Sequence, residues 1–157
     1  MRKLTALLIV ILVLLAGFAG WFYLGGTLHA DVSIQTAGAD DYPEAYGAIR
    51  NLLASGSAPQ RFMDIDLPED PTGYKLVDVN IRLSNRGMFP AEWLDIHAGA
   101  ADGDIAVYAL TGEGSDVPAR DSASVNLKLI TTAPADAARD IRVQYYVYGM
   151  KREITVR

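Results

Sequence analysis

The first thirty residues constrain this chain most, because no Asp, Glu, Lys or Arg occurs between Leu4 and Ala30. The segment Leu7–Leu15 is continuously aliphatic. A helix over Leu4–Leu24 would be about 31 Å long at about 1.5 Å per residue, which matches a bilayer hydrocarbon core of about 30 Å. We therefore predict one transmembrane helix, a signal anchor, over Leu4–Leu24.

The residues that flank this segment predict its orientation. Arg2 and Lys3 precede it, and Trp21-Phe22-Tyr23 lies at its far end. Basic residues favour the cytoplasmic side, and aromatic rings favour the headgroup region. We therefore expect residues 1–3 in the cytoplasm, a linker over 25–30 and an extracytoplasmic domain over 31–157. The predicted location is the cell membrane, with a single pass and the C-terminal domain outside the cytoplasm.

A cleaved signal peptide is the alternative interpretation of the same segment. Its basic start and apolar length would suit one. Small residues that would permit cleavage occur at Gly17-Phe18-Ala19 and at Leu28-His29-Ala30. The aromatic cluster and the long uncharged stretch favour a retained anchor.

Composition excludes several classes of function. Cysteine is absent, which excludes disulfides, thiolate catalysis and Cys-ligated zinc. Twelve of the 14 basic residues and all 19 acidic residues lie at Asp31 or later, so this part has a net charge of −7. Such a charge opposes binding to the phosphates of nucleic acid. With no Asn-x-Ser/Thr acceptor either, the composition favours a bacterial cell-envelope protein.

The pattern of apolar residues predicts a mainly β domain. A short strand is expected over Asp31–Thr36. From Tyr74 onward, apolar and polar residues alternate in five or six segments with turn residues between them and no helix. This pattern predicts an antiparallel, immunoglobulin-like β-sandwich. Residues 57–73 are expected to form either a short edge strand or a pinned loop.

One helix is expected outside this β pattern, over Tyr42–Ser55. Asp41 is the expected N-cap, with Glu44 completing a capping box, Pro43 in the first turn and Gly56 at the end. Its apolar stripe consists of Ala45, Tyr46, Ile49, Leu52 and Leu53. We expect this stripe, Leu52 included, to pack on the sandwich.

The strand pattern over Tyr74–Val156 resembles that of immunoglobulin-like and fibronectin type III-like sandwiches. The whole chain resembles small single-pass membrane-anchored envelope proteins of clostridial bacteria, a group whose role is unassigned. The matching features are the basic start, Trp21-Phe22-Tyr23, Pro43-Glu44-Ala45-Tyr46, Val79–Asn85, Pro90-Ala91-Glu92 and Val143–Gly149. The resemblance implies the topology and the fold, and it implies no catalytic residue.

A first candidate ligand patch contains aromatic residues on outward strand faces. Trp93, Asp95 and His97 fall on one face of their strand, and Tyr146 and Tyr148 fall on the outward face of theirs. Such rings could stack on a sugar or anchor a protein partner. The favoured interpretation is instead that the helix covers Tyr146 and Tyr148.

A second candidate is an acidic loop with carboxylates at Asp64, Asp66, Glu69 and Asp70. Calcium requires six to eight oxygen ligands, which such a loop could supply together with Asp102-Gly103-Asp104 if the fold joined them. Pro68 interrupts the ligand spacing, so a solvated acidic loop is favoured.

The sequence does not favour an enzyme. His29 and His97 are its two histidines, and neither has a serine and a carboxylate at a recognisable triad spacing. We predict no catalytic residue, no cofactor and no metal. The predicted function is a non-catalytic binding or assembly module of the cell envelope, whose partner is another envelope protein or a second copy of the chain. The alternative is a glycan- or calcium-binding module.

Overall fold

The computed structural model describes residues 2–24, 27–134 and 137–156, and in them side chains over 5–21, 27–134 and 137–156. Within these residues the elements are, in chain order, α1 (Arg2–Leu24), β1 (Leu28–Gly38), α2 (Pro43–Ala54), β2 (Gln60–Arg61), β3 (Lys75–Asn85), β4 (Glu92–Ala98), β5 (Asp104–Thr111), β6 (Ser122–Thr131), β7 (Ile141–Val147) and β8 (Met150–Val156).

Alternation of apolar and polar residues places every second side chain of β3, β6 and β7 inside the domain. In β3 the buried set is Val77, Val79, Ile81 and Leu83, each at most 1% exposed. Tyr145 of β7 is fully buried.

The strands form two antiparallel sheets. One has the order β1-β3-β6-β5-β2, and the other has the order β4-β7-β8. Buried side chains from both sheets belong to one apolar cluster, so the sheets pack face to face. The prediction of a mainly β fold with antiparallel strands in a sandwich is confirmed.

The apolar N-terminal segment is helical, as predicted. α1 has 23 residues, and its described large apolar side chains are about half exposed or more. Among the described residues, no helix meets the combined length and hydrophobicity that a membrane span requires. The helix is confirmed, and its place in a membrane stays a prediction.

The start of α2 differs from the expected capping box. Tyr42 is the N-cap residue, no side chain caps the helix, and Pro43 occupies the first turn. Because Pro43 fixes its own φ and lacks an N–H group, the helix begins there, and Asp41 lies one residue too early to cap it.

The C-terminal end of α2 is as expected from Gly56, whose φ is +71°. This conformation lets the Gly56 N–H donate to the Leu53 carbonyl (3.0 Å) and the Ser57 N–H donate to the Leu52 carbonyl (3.1 Å).

α2 packs on the sandwich through a narrower stripe than expected. Tyr46, Ile49 and Leu53 are buried, whereas Leu52 is half-buried and Ala45 is exposed. The buried residues join an apolar cluster with Ala39, Leu67, Ile105, Ala106 and Ile130. Leu76 and Tyr108 pack against the same cluster, and in their strands they alternate with residues of the inner core.

The helix therefore covers the outer face of the five-stranded sheet. The expectation that it covers Tyr146 and Tyr148 is wrong, because β7 and the turn after it belong to the three-stranded sheet. Helical periodicity identifies which face of α2 is buried, and it does not identify the surface that buries it.

Two connecting segments also differ in detail from expectation. β1 begins at Leu28, so the last three residues of the predicted linker are strand. Between 57 and 73 the only described strand is β2, and the rest is a pinned loop. The Arg61 guanidinium, at the end of β2, holds this loop by donating to the Met63 carbonyl (3.0 Å) and the Ile65 carbonyl (2.9 Å).

Leu53→Ala should lower the free energy of unfolding by about 2–5 kcal/mol, as truncation of a fully buried leucine does. The matched control is Leu52→Ala, one residue earlier and only half-buried, for which we expect a clearly smaller loss. Urea denaturation of the purified protein measures both values. Equal losses would contradict the observed packing of α2.

Candidate functional site

Three aromatic side chains are exposed on or beside the three-stranded sheet. We call Trp93, Tyr146 and Tyr148 the aromatic patch; they are 65%, 37% and 57% exposed. Glu92 is the cross-strand partner of Tyr146, which places Trp93 next to this pair. The patch is thus open to a ligand.

The backbone around Trp93 departs from regular strand. The register of β4 and β7 shifts between Glu92 and Asp95, and Trp93 has φ +55°. Its N–H donates to Asp116 Oδ1 at 2.8 Å, and the Leu94 N–H donates to the Ser115 carbonyl at 2.9 Å. The start of β4 is therefore held by the β5–β6 loop as well as by β7.

The remaining predicted residues of this patch form a local pair. His97 Nε2 lies 3.2 Å from Asp95 Oδ2, with His97 exposed and Asp95 half-buried. Tyr148 lies in the β7–β8 turn rather than on a strand, and its ring packs edge-on against Phe89 at 4.2 Å between centroids.

The predicted acidic loop does not gather its carboxylates. Asp64 pairs with Arg61 at 3.2 Å and Glu69 pairs with Arg50 at 3.5 Å, while Asp66 is exposed. Asp70 Oδ1 accepts hydrogen bonds from the Thr72 hydroxyl (2.6 Å) and N–H (2.9 Å), and these bonds lower the pKa of Asp70. Within the described residues, no three His, Cys, Asp or Glu side chains are arranged to hold a metal ion.

Asp104, a second candidate ligand for calcium, is instead part of a buried ion pair. Arg139 donates to Asp104 Oδ1 at 2.7 Å and to Oδ2 at 2.8 Å, and the side chains are 0% (Asp104) and 4% (Arg139) exposed. Burial alone would raise the pKa of Asp104. The hydrogen bonds from Arg139, from the Ala101 N–H and from Thr131 outweigh it, so the pKa lies below its ordinary value.

A groove beside α2 was not predicted from the sequence. It has a volume of about 520 Å³, and its walls include the exposed Tyr42 ring and the half-buried Tyr108 ring. Burial and the nearby Asp78 carboxylate raise the pKa of Tyr108. Its other lining residues are Gln35, Thr36, Ala37, Ala45, Leu76, Asp78 and Lys128.

The polar side of this groove is ordered by Asp78. Its Oδ2 lies 3.4 Å from Lys128 Nζ, and its Oδ1 accepts a hydrogen bond from Asn126 Nδ2 at 2.7 Å. The groove thus combines aromatic walls with fixed hydrogen-bonding groups, a composition common in ligand sites. Its residues come from β1, α2, β3, β5 and β6 and the segment before α2, so no single sequence pattern indicates it.

No model of a known protein family matches the chain, and no curated protein is similar to it in sequence.

Asp104→Asn should destabilise the domain by about 3–5 kcal/mol near neutral pH, because it leaves the buried Arg139 charge unpaired. The pKa of Asp104 is lowered in the folded state, so its contribution is present above the unfolded carboxyl pKa of about 3.9 and is lost as the pH falls through the folded value. Thermal melts from pH 7 to pH 2 should therefore show a weaker acid dependence in the variant.

The control for this prediction is Glu69→Gln, which removes an exposed ion pair and should have little effect on stability. A wild-type melting profile for Asp104→Asn at neutral pH would contradict the prediction.

Proposed function

We propose that this chain is a single-pass membrane protein whose β-sandwich lies outside the cytoplasm and serves as a non-catalytic binding or assembly module of the cell envelope. The observation that supports it most is α1, a helix over the uncharged segment whose leucine, isoleucine and valine side chains from Leu7 to Leu15 are 48–67% exposed. In water such a surface would be unfavourable, and in a bilayer it would be solvated by lipid.

The sequence supports the orientation and the bacterial source of this proposal. Arg2 and Lys3 are the first two residues of α1, and Trp21-Phe22-Tyr23 lies near its end. The resemblance to clostridial envelope proteins agrees with this topology. The alternating strands from Tyr74 onward support the further proposal that the sandwich is immunoglobulin-like.

We assign the partner to the groove beside α2. Tyr42 presents an exposed ring at its rim, and Asp78 and Lys128 present fixed charges inside it. Exposed tyrosines beside ordered polar groups are typical of binding surfaces. We propose that this groove binds a segment of another envelope protein, a second copy of this chain included.

A glycan is the second candidate ligand for the same groove. The Tyr42 and Tyr108 rings could stack on sugar faces, and Gln35, Asp78 and Lys128 could bind hydroxyl groups. Saturable binding of soluble cell-wall glycan to the reconstituted protein, lost in Tyr42→Ala, would favour it.

Membrane topology can be tested with introduced cysteines, because the natural chain contains none. We expect Ser57→Cys, on the exposed surface after α2, to react with a membrane-impermeant maleimide in intact bacterial cells whose outermost layers the reagent can cross. Thr5→Cys, in α1, should react only after the membrane is dissolved.

Labelling of Ser57→Cys only after lysis would contradict the proposed topology. Mass spectrometry of the membrane-extracted protein tests retention of the anchor. We expect the N-terminal peptide to be present, and recovery only of chains that begin near Gly20 or Asp31 would favour a cleaved signal peptide.

The groove can be tested with a photo-crosslinking amino acid at Tyr42 in cells. We expect a crosslinked band of defined mass that disappears when Lys128→Glu reverses the charge inside the groove. The matched control places the crosslinker at Asn51, an exposed position of α2 outside the groove lining. Crosslinks that are absent at Tyr42, or equal at the two positions, would contradict the assignment.

A further inference from the structure

The short connection between α1 and β1 determines which end of the sandwich lies near the anchor. α1 ends at Leu24 and β1 begins at Leu28, so the two residues are at most about 14 Å apart. Leu28 pairs with Asn85, the last residue of β3. We call this end of the sandwich the near end; it comprises the start of β1, the β3–β4 loop, the β5–β6 loop and the β7–β8 turn.

The near end contains a basic depression of about 550 Å³. Arg82, Arg86 and Arg120 line it, with Asp121 as the one acid in the lining. Ser84, Asn85 and Ser122 complete the lining. The lining thus contains more positive than negative charge, in contrast to the net charge of −7 of the domain.

The guanidinium groups of the depression are available to an anion. Arg86 and Arg120 are exposed, and neither forms an ion pair within the described residues. Arg82 approaches the Ser122 hydroxyl at 3.4 Å. The loop that contains Arg86 is fixed by the buried Asn85, whose Nδ2 donates to the Phe89 carbonyl (2.8 Å) and whose Oδ1 accepts from the Gly87 N–H (2.9 Å).

Exposed apolar side chains surround the near end. Met88, Trp93, Tyr148 and Met150 are 49%, 65%, 57% and 40% exposed. Other acids of this end are Asp31, the cross-strand partner of Arg82, and Glu92 at the start of β4. Glu113 and Asp116 belong to the β5–β6 loop beside β4, where the Asp116 carboxylate accepts the Trp93 N–H. Positive charge at this end comes from the three arginines of the depression and from Lys151 and Arg152, which line a second depression together with Thr27.

Three side chains at the near end lie on strained backbone. In the described part of the chain, the non-glycine residues with positive φ are Trp93 (+55°), Arg120 (+60°) and Tyr148 (+54°), and all three lie at the near end. Glycine or asparagine is the less strained residue at such positions. Tyr148 and Gly149 form a two-residue hairpin turn, which normally contains Asn-Gly or Gly-Gly. Strained residues of this kind concentrate at functional sites.

We propose that the near end docks on the bilayer that α1 enters, with anionic lipid headgroups in the basic depression and the Trp93 and Tyr148 rings in the headgroup region. This proposal rests on the proposed membrane anchor. Arginines near a membrane surface are attracted to anionic lipids, and Trp and Tyr rings favour the interface. Most of the acids between Asp31 and Asp70 lie toward the opposite end, and their repulsion from an anionic surface would favour the same orientation.

Trp93 can report this contact directly, because Trp21 is the only other tryptophan. The full chain with Trp21→Phe is reconstituted in vesicles of phosphatidylcholine, with or without phosphatidylglycerol. In the anionic vesicles we expect a blue shift of Trp93 emission and quenching by lipids brominated close to the headgroup. Both effects should weaken in neutral vesicles and in high salt.

The decisive variant is Arg120→Gly combined with Arg86→Gln. Glycine is favoured at the positive φ of Arg120, so this change should not lower the melting temperature, whereas lipid quenching of Trp93 should be lost. The matched control is Arg142→Gln, an exposed arginine of β7 that pairs with His97 and Thr155 away from the near end. It should leave the quenching unchanged.

Other outcomes overturn separate parts of the proposal. If alkaline carbonate extracts the chain from the vesicles, the anchor itself is wrong. If the chain resists extraction but Trp93 is not quenched, the anchor stands and the docking is wrong. Equal quenching in neutral and anionic vesicles would overturn the role of the arginines. A blue shift without lipid quenching that grows with protein density would assign the near end to a second copy.

Discussion

A hydrogen bond from the Leu28 N–H to the buried Tyr145 hydroxyl, 3.0 Å long, joins the two sheets where the domain begins. Leu28 is the first residue of β1 in the five-stranded sheet, and Tyr145 belongs to β7 in the three-stranded sheet. β1 is an edge strand, so without this contact its first residue would be free to fray. The bond therefore fixes the start of β1, where the chain that follows α1 enters the domain.

Polar contacts also fix the opposite side of the sandwich. The Gln60 side chain bonds both backbone groups of Ala98, donating to its carbonyl at 2.8 Å and accepting from its N–H at 3.3 Å. This joins the edge strand β2 to the edge strand β4 across the two sheets. The Asp104–Arg139 pair holds the segment before β7 against the start of β5. The polar groups in both contacts are hydrogen-bonded to each other. By contrast, the exposed Arg86 and Arg120 of the near end form no ion pair within the described residues.

Local pattern predicted much of this fold, and long-range contacts explain what it did not predict. Alternation identified β3, β6 and β7, and helical spacing identified α2, because each pattern depends on neighbours within a few residues. The surface that α2 covers depends on sheet order, which no local pattern contains. The sequence suggested Asp104 as a possible calcium ligand, whereas its partner in the structure is Arg139, 35 residues away. Several elements contribute to the groove beside α2, so no local pattern indicated it. By contrast, alternation alone indicated that Trp93 and Tyr146 are exposed.

The groove beside α2 and the near end lie apart along β1. The proposed membrane contact and the proposed partner contact can therefore form at the same time. Gln35, the first residue of β1 that lines the groove, lies seven residues beyond Leu28, or about 23 Å along an extended strand. With the near end docked on headgroups, the groove would stand clear of the lipid and open sideways rather than toward the bilayer. The contact between the near end and the headgroups would keep it at that height. The partner that best fits such a groove is therefore one held at a fixed distance from the same membrane, which favours another anchored envelope protein over a freely diffusing ligand.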